Sequence, residues 1–92
     1  MSALEFKNKG NQALQQGDTN KAIEYYSKGL EIEPENPELL SNRSMAYTKL
    51  EKYKEALEDA EKLIKIKPDW GKSYLRKGMA LHGLGKLEEA KT

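Results

Sequence analysis

Five polar side chains have the types and the spacing needed to bind a small anion. Lys7 and Asn11 lie four residues apart, and so do Lys72 and Arg76, so each pair shares one face of a predicted helix. Asn42 lies 34 residues before Arg76, an interval that recurs throughout the chain. The set combines three cations with two amides and contains no acid. Charge-assisted hydrogen bonds from such groups suit a ligand with several acceptor oxygens, for instance a peptide carboxylate.

These side chains meet only if the helices that carry them are stacked, and an internal repeat predicts that stacking. Matching residues recur at an interval of 34, or of twice that length, along the whole chain. A period of this length, filled by two amphipathic helices, is typical of tetratricopeptide repeats. We therefore predict an all-α fold, a tetratricopeptide superhelix of stacked antiparallel helix pairs with an incomplete third repeat. The residues that carry the period are Ala22, Ala56 and Ala90, Pro34 and Pro68, Gly10, Ser44 and Gly78, and Gly17 and Gly85.

Capping and helix-breaking residues divide the chain into predicted helices. Ser2 with Glu5 is a candidate capping box for the first helix, which we expect to end near Gly17. Asn36 and Pro37 are good N-cap and first-turn residues for the third helix. The remaining predicted limits are Thr19 to Glu33 for the second helix, a start near Tyr53 for the fourth, Asp69 as the cap of a fifth that ends at Gly85, and a sixth from Leu87 to Thr92.

The third repeat is predicted to stop inside its second helix. We expect a single domain over residues 1–92, with repeats at about 3–36, 37–70 and 71–92, the last one truncated. Repeats bury their apolar faces on their neighbours, and terminal repeats need a polar cap, so the fifth helix would keep part of its apolar face uncovered. We expect the chain to be a fragment of a longer protein, or this face to be covered by a partner chain, including an oligomer formed through the uncapped third repeat.

Composition argues against several classes of function. The chain has a formal net charge of +1, which does not favour nucleic-acid binding through bulk electrostatics. It contains no cysteine, and His82 is its single histidine, so we expect no metal and no cofactor. We find no apolar stretch that could cross a bilayer and no signal peptide, and we expect no membrane partner and a cytoplasmic location. No catalytic set can be assembled, so we expect that the chain is not an enzyme.

Three segments resemble the signature stretches of carboxylate-clamp tetratricopeptide domains. Generic tetratricopeptide repeats do not require the five polar residues named above, whereas all five match the clamp positions of this subfamily. The chain most resembles the N-terminal domain of the Hop/Sti1 class of organising co-chaperones. Co-chaperone phosphatases, prolyl isomerases and ubiquitin ligases share the clamp. The matching segments are Lys7-Asn8-Lys9-Gly10-Asn11, Ser41-Asn42-Arg43-Ser44-Met45-Ala46-Tyr47 and Trp70-Gly71-Lys72-Ser73-Tyr74-Leu75-Arg76-Lys77.

The resemblance implies a partner and a mode of binding. Clamp domains hold the C-terminal tail of a heat-shock chaperone, ending Glu-Glu-Val-Asp, in extended form along their concave groove. By analogy Lys7, Asn11 and Asn42 would hold the terminal carboxylate, while Lys72 and Arg76 would hold the other carboxylate and nearby backbone groups. The seventy-kilodalton class of chaperone is favoured over the ninety-kilodalton class. Residues expected to shape a secondary peptide groove are Leu14, Met45, Lys49 and Met79.

Several alternatives remain open at this point. The array would also suit a generic scaffold that binds an internal peptide or helix of another partner, or the targeting module of a larger co-chaperone enzyme. The five polar residues equally suit ordinary solvated positions, since most surface lysines and asparagines bind no ligand. Met45 and Met79 equally suit the hydrophobic core.

Overall fold

Five α-helices make up the described part of the chain. The computed structural model describes the backbone of residues 1–91 and the side chains of residues 1–86. Each helix packs on the next one along the chain, and short connections join them, as is usual for antiparallel neighbours. In addition, α3 packs on α5. Residues 1–91 contain no strand, which confirms the all-α prediction. The helices are α1 (Ala3–Gln15), α2 (Thr19–Ile32), α3 (Pro37–Lys49), α4 (Tyr53–Ile66) and α5 (Gly71–Lys91).

Two of the three predicted helix caps form. The backbone N–H of Glu5 donates to Ser2 Oγ at 3.2 Å, and the N–H of Ser2 donates to Glu5 Oε1 at 3.3 Å, which completes the capping box of α1. Asn36 Oδ1 accepts from the backbone N–H of Leu39 at 3.0 Å and caps α3. The prediction that Asp69 caps the fifth helix is wrong, because α5 begins at Gly71 and Asp69 lies one residue too early.

The turn between the two helices of a repeat is made by a residue with positive φ. Gly17, between α1 and α2, has a φ of 84°, and Glu51, one period later, has a φ of 60°. Gly85 lies at the same repeat position, yet α5 continues through it. The prediction that the fifth helix ends at Gly85 and a sixth begins at Leu87 is therefore wrong, although Thr92 lies outside the described residues. Glycine permits the positive φ that ends a helix but does not require it. The helix ends where the following helix packs against it, as α2 packs against α1.

Small residues let paired helices cross closely. Ala22 and Ala56, one period apart, are both fully buried. A Cβ atom placed on Gly10 would lie 2.4 Å from Cε1 of Tyr26, so only glycine allows the buried Tyr26 ring to lie against α1. Gly78 lies at the same repeat position as Gly10, but its Cβ would meet nothing within 4 Å. Close approach of a facing side chain is thus found at Gly10 and not at Gly78, among the side chains that the structure describes.

A bidentate ion pair joins α3 to α4, and its guanidinium also reaches α2. Arg43 donates from Nε and Nη2 to the two carboxylate oxygens of Asp59, at 2.8 and 2.7 Å. Its Nη1 donates to Ser27 Oγ at 3.1 Å. Asp59 is only 5% exposed, and its hydrogen bond raises the pKa of Arg43. One guanidinium therefore holds three helices together and satisfies a buried carboxylate.

The outer face of α5 exposes apolar side chains. Tyr74 is 53% exposed, Leu75 55% and Leu81 48%. This agrees with the expectation that the fifth helix keeps part of its apolar face uncovered. Self-association through that face stays a prediction. The side chain of Ala90, the third alanine of the repeat series, lies outside the described residues.

Substitution of Gly10 by alanine should destabilise the fold, whereas the same substitution at Gly78 should not. The added methyl group at position 10 overlaps the Tyr26 ring, so we expect Gly10→Ala to lower the free energy of unfolding by about 1–3 kcal/mol. Gly78→Ala adds a methyl group in open space and should raise it by about 0.5–1 kcal/mol. Urea unfolding followed by circular dichroism measures both. Equal effects at the two positions would contradict the close crossing of α1 and α2.

Removal of the Asp59 carboxylate should leave the half-buried Arg43 guanidinium without its counter-charge. We expect Asp59→Ala to lower the free energy of unfolding by about 2–3 kcal/mol, somewhat below the cost of breaking a fully buried pair. Glu61→Ala is the matched control, because Glu61 is an exposed acid on the same helix and should change stability by less than about 0.5 kcal/mol. Chemical denaturation of the two variants would contradict the role of the pair if their midpoints coincided.

Candidate functional site

A groove of about 260 Å³ lies where α1, α3 and the start of α5 meet. Four of the five predicted anion-binding side chains line it together. The fifth, Arg76, lies one helical turn after Lys72 on α5 and bonds to Ser41, the neighbour of Asn42. Stacking of the repeats therefore brings the predicted set to one region. The residues that line the groove are Lys7, Asn11, Glu38, Asn42, Trp70 and Lys72.

The side-chain amide of Asn11 is fixed by two donors. Asn42 Nδ2 donates to Asn11 Oδ1 at 3.2 Å, and the Tyr26 hydroxyl donates to the same oxygen. Burial raises the pKa of Tyr26, which keeps the hydroxyl protonated as a donor. With its oxygen occupied, Asn11 has its Nδ2 left to donate to a ligand in the groove. The buried Tyr26 thus packs in the core and also orients an amide of the groove.

Arg76 is a half-buried cation with neutral partners. Its Nε donates to Ser41 Oγ at 3.0 Å, and its Nη1 lies 3.7 Å from Met79 Sδ. Desolvation by burial lowers the pKa of Arg76, and none of the acids that the structure describes forms an ion pair with it. Desolvating a charge is costly unless it is paired, so this guanidinium is poised to receive an anion.

Lys72 and Trp70 form the side of the groove at the start of α5. The Lys72 ammonium lies 5.4 Å from the centre of the Trp70 ring, a cation–π contact that orients an otherwise exposed lysine. Trp70 is not one of the five predicted anion-binding residues. Its position two residues before Lys72, in the same signature segment, was the available signal.

An acid lies among these cations. Glu38 Oε2 forms an ion pair with Lys7 Nζ, and the hydrogen bond from Lys7 lowers the pKa of Glu38. The sequence-derived set contained no acid, so this residue was missed. Its position four residues before Asn42, on the same face of α3, was the signal that could have found it.

The four residues predicted for a secondary groove do not line the 260 Å³ groove. Met79 is half-buried beside Arg76, and Leu14 is half-buried against the hydrophobic core. Met45 is half-buried and Lys49 is exposed. Their role in binding a peptide stays a prediction.

Two further features are absent from the described residues, metal-type clusters and helices able to span a membrane. No group of three or more His, Asp or Glu side chains among them is arranged to hold a metal ion. Within the same residues, every helix is too short or too polar to pass through a lipid bilayer.

Two family models that match the chain describe tetratricopeptide repeats. A family model described as "Serine/threonine-protein kinase BSK1-like, TPR repeats" matches residues 1–77, and one described as "Tetratricopeptide repeat" matches residues 71–92. The "Protein STIP1 homolog" of Dictyostelium discoideum is 48% identical over 88 residues, and "Heat shock protein STI1" of Saccharomyces cerevisiae is 46% identical over 93 residues. These matches cover 96% and 100% of the chain but 16% of each relative. The chain thus spans about one sixth of their length.

Solved structures with the same fold include domains bound to chaperone peptides. The second such domain of Spaghetti (RPAP3), bound to the HSP90 peptide SRMEEVD, has a TM-score of 0.86 and is 39% identical, covering 97% of this chain and 82% of that one. The second domain of human RPAP3, in complex with the HSP70 peptide SGPTIEEVD, has a TM-score of 0.85 and is also 39% identical, covering 97% and 74%. Domains of this kind therefore bind peptides from both chaperone classes.

Loss of the Tyr26 hydroxyl should loosen the Asn11 amide. We expect Tyr26→Phe to lower the free energy of unfolding by about 0.5–1.5 kcal/mol, because Asn11 Oδ1 loses one of its two donors. The side-chain amide signal of Asn11 in ¹⁵N NMR spectra should also shift. Tyr25→Phe is the matched control, since the Tyr25 hydroxyl forms no hydrogen bond to a described residue. Equal stability of the two variants would contradict the orienting role of Tyr26.

Proposed function

The chain belongs to the tetratricopeptide-repeat family, and we propose that it is a co-chaperone adaptor module for the C-terminal Glu-Glu-Val-Asp tail of a heat-shock chaperone. Similarity to Sti1 and RPAP3 domains confirms the resemblance found from the sequence. The family consists of protein-binding domains, and the chain is not an enzyme. In this proposal the side chains of the chain itself form the binding site.

The half-buried Arg76, which lacks an acidic partner among the described residues, is the observation that carries the proposal. A C-terminal aspartate offers two carboxylates, one on its side chain and one at the chain end. Lys7, Asn11 and Asn42 would hold the terminal carboxylate, and Lys72 with Arg76 would hold the second. Lys72 and Arg76, which form no ion pair with a described acid, would then each gain a charge-assisted hydrogen bond to a carboxylate.

The seventy-kilodalton chaperone class is our preferred partner. The preference follows from the resemblance to the N-terminal domain of Hop/Sti1 proteins. The shared ending itself does not favour either class, because HSP90 and HSP70 peptides both end in EEVD. Discrimination therefore depends on residues before that ending, for which Leu14, Met45, Lys49 and Met79 are the candidate contacts. We also propose a cytoplasmic location, since a chain without cysteine suits a reducing compartment.

Binding of such a tail should be reversible. A tail of a few ordered residues should bind at roughly micromolar strength, near −8 kcal/mol. The ligand contacts are largely electrostatic, and exposed charges are screened within about 8–10 Å at physiological salt, so binding should weaken as salt is added. These properties suit transient contact with a chaperone rather than a permanent complex.

A second candidate is a scaffold that binds a helix or an internal peptide of another protein. The exposed apolar side chains Tyr74, Leu75 and Leu81 on α5 favour it, because they offer a surface for a partner helix. This mode does not use the carboxylate of a chain end. A peptide with a free or a blocked terminus therefore distinguishes the two candidates.

Calorimetric titration with a peptide ending Ile-Glu-Glu-Val-Asp should give roughly micromolar binding that depends on its free terminus. We expect the C-terminal amide to bind at least about tenfold more weakly, and Lys72→Ala to cost about 1.5–3 kcal/mol. Lys62→Ala, which removes an exposed lysine from α4, is the matched control and should bind like the unmodified chain. Equal affinity for acid and amide would favour the scaffold function instead.

A further inference from the structure

Glu38 lies where a carboxylate of the proposed ligand would bind. Its own carboxylate is paired with Lys7, and its side chain lines the groove beside Asn11, Asn42 and Lys72. The pair joins α1 to α3, since Lys7 and Glu38 are 31 residues apart in the chain. The groove therefore already holds one carboxylate, supplied by the protein.

We propose that Glu38 is a specificity-determining residue, an internal carboxylate that competes with the ligand's terminal carboxylate for Lys7. The inference rests on the proposed function, which places the ligand's terminal carboxylate at Lys7. If Glu38 kept its place, two carboxylates would share one ammonium group and repel each other. A ligand must therefore displace Glu38 to use Lys7.

The position of Glu38 makes this displacement feasible without a change in backbone. The Glu38 side chain is 58% exposed, and it lies in the first turn of α3. Exposed ion pairs contribute little net free energy, so an incoming anion needs to overcome only a small preference. A second hollow, of about 340 Å³, adjoins the groove and is also lined by Glu38 and Trp70. Lys67 and Asp69, a cation and an acid, line that hollow as well.

Competition of this kind makes affinity depend on the number of carboxylates that a ligand carries. A ligand with one carboxylate exchanges with Glu38 one for one and gains little at Lys7. A C-terminal aspartate brings two carboxylates, so the second can pair with Lys72 and Arg76 while the first displaces Glu38. The internal carboxylate thereby favours chain ends with two adjacent carboxylates over peptides with a single acid.

Removal of the Glu38 charge should strengthen binding. We expect Glu38→Gln to bind the free-acid peptide about two- to fivefold more tightly than the unmodified chain, the size expected for an exposed ion pair. Fluorescence of Trp70, the single tryptophan, reports binding from within the groove. Glu61→Gln removes the same charge from an exposed position on α4 and should leave affinity unchanged. Unchanged affinity in Glu38→Gln, or equal tightening in both variants, overturns the inference.

A measurement without ligand separates this inference from the proposed function. Carboxyl-detected NMR of the free protein should give Glu38 a lower pKa than in Lys7→Met, because the Lys7 hydrogen bond holds that pKa down. Identical values in the two proteins show that the pair is absent and overturn the competition, even if the peptide binds. A peptide that fails to bind the unmodified chain, with the pair present, overturns the proposed function and the competition together.

Discussion

The fit of the Tyr26 ring against Gly10 is the contact on which the rest of the structure depends. The ring is fully buried, in a space that any side chain at position 10 would fill. The Tyr26 hydroxyl donates to Asn11 Oδ1, and Asn42 Nδ2 donates to the same oxygen. Hydrogen bonds therefore connect the crossing of α1 and α2 to the side chains of the groove. The packing of the first repeat and the orientation of the groove amides are therefore set by the same side chain.

Two half-buried arginines show how the fold separates a structural cation from an available one. Arg43 is neutralised by the buried Asp59 and holds α2, α3 and α4 together. Arg76 forms hydrogen bonds to the neutral Ser41 and Met79, and no ion pair with a described acid. A charge without a partner is costly away from water. Arg43, which has a counter-charge, therefore stabilises the fold, whereas Arg76 is available to bind an anion.

The 34-residue period predicts most of the fold and the meeting of the polar side chains, because residues one period apart lie at equivalent places on stacked helices. Glu38 was not predicted as a site residue because an anion site is expected to contain cations and amides, although Glu38 lies one helical turn from Asn42. Trp70 carries neither a charge nor an amide, and its place in the groove is recognised from its contact with Lys72. The continuation of α5 through Gly85 depends on tertiary packing, which local sequence does not encode.

We propose above that a carboxylate-bearing chain end binds between α1, α3 and α5. The most direct test follows the side-chain amide signals of Asn11 and Asn42 by ¹⁵N NMR as a free-acid Glu-Glu-Val-Asp peptide is added. Both signals should shift and saturate at the same peptide concentration, while that of Asn20, an exposed residue on α2, stays in place. Saturable shifts confined to other surfaces, with the Asn11 and Asn42 signals unmoved, would show that the peptide does not bind in this groove.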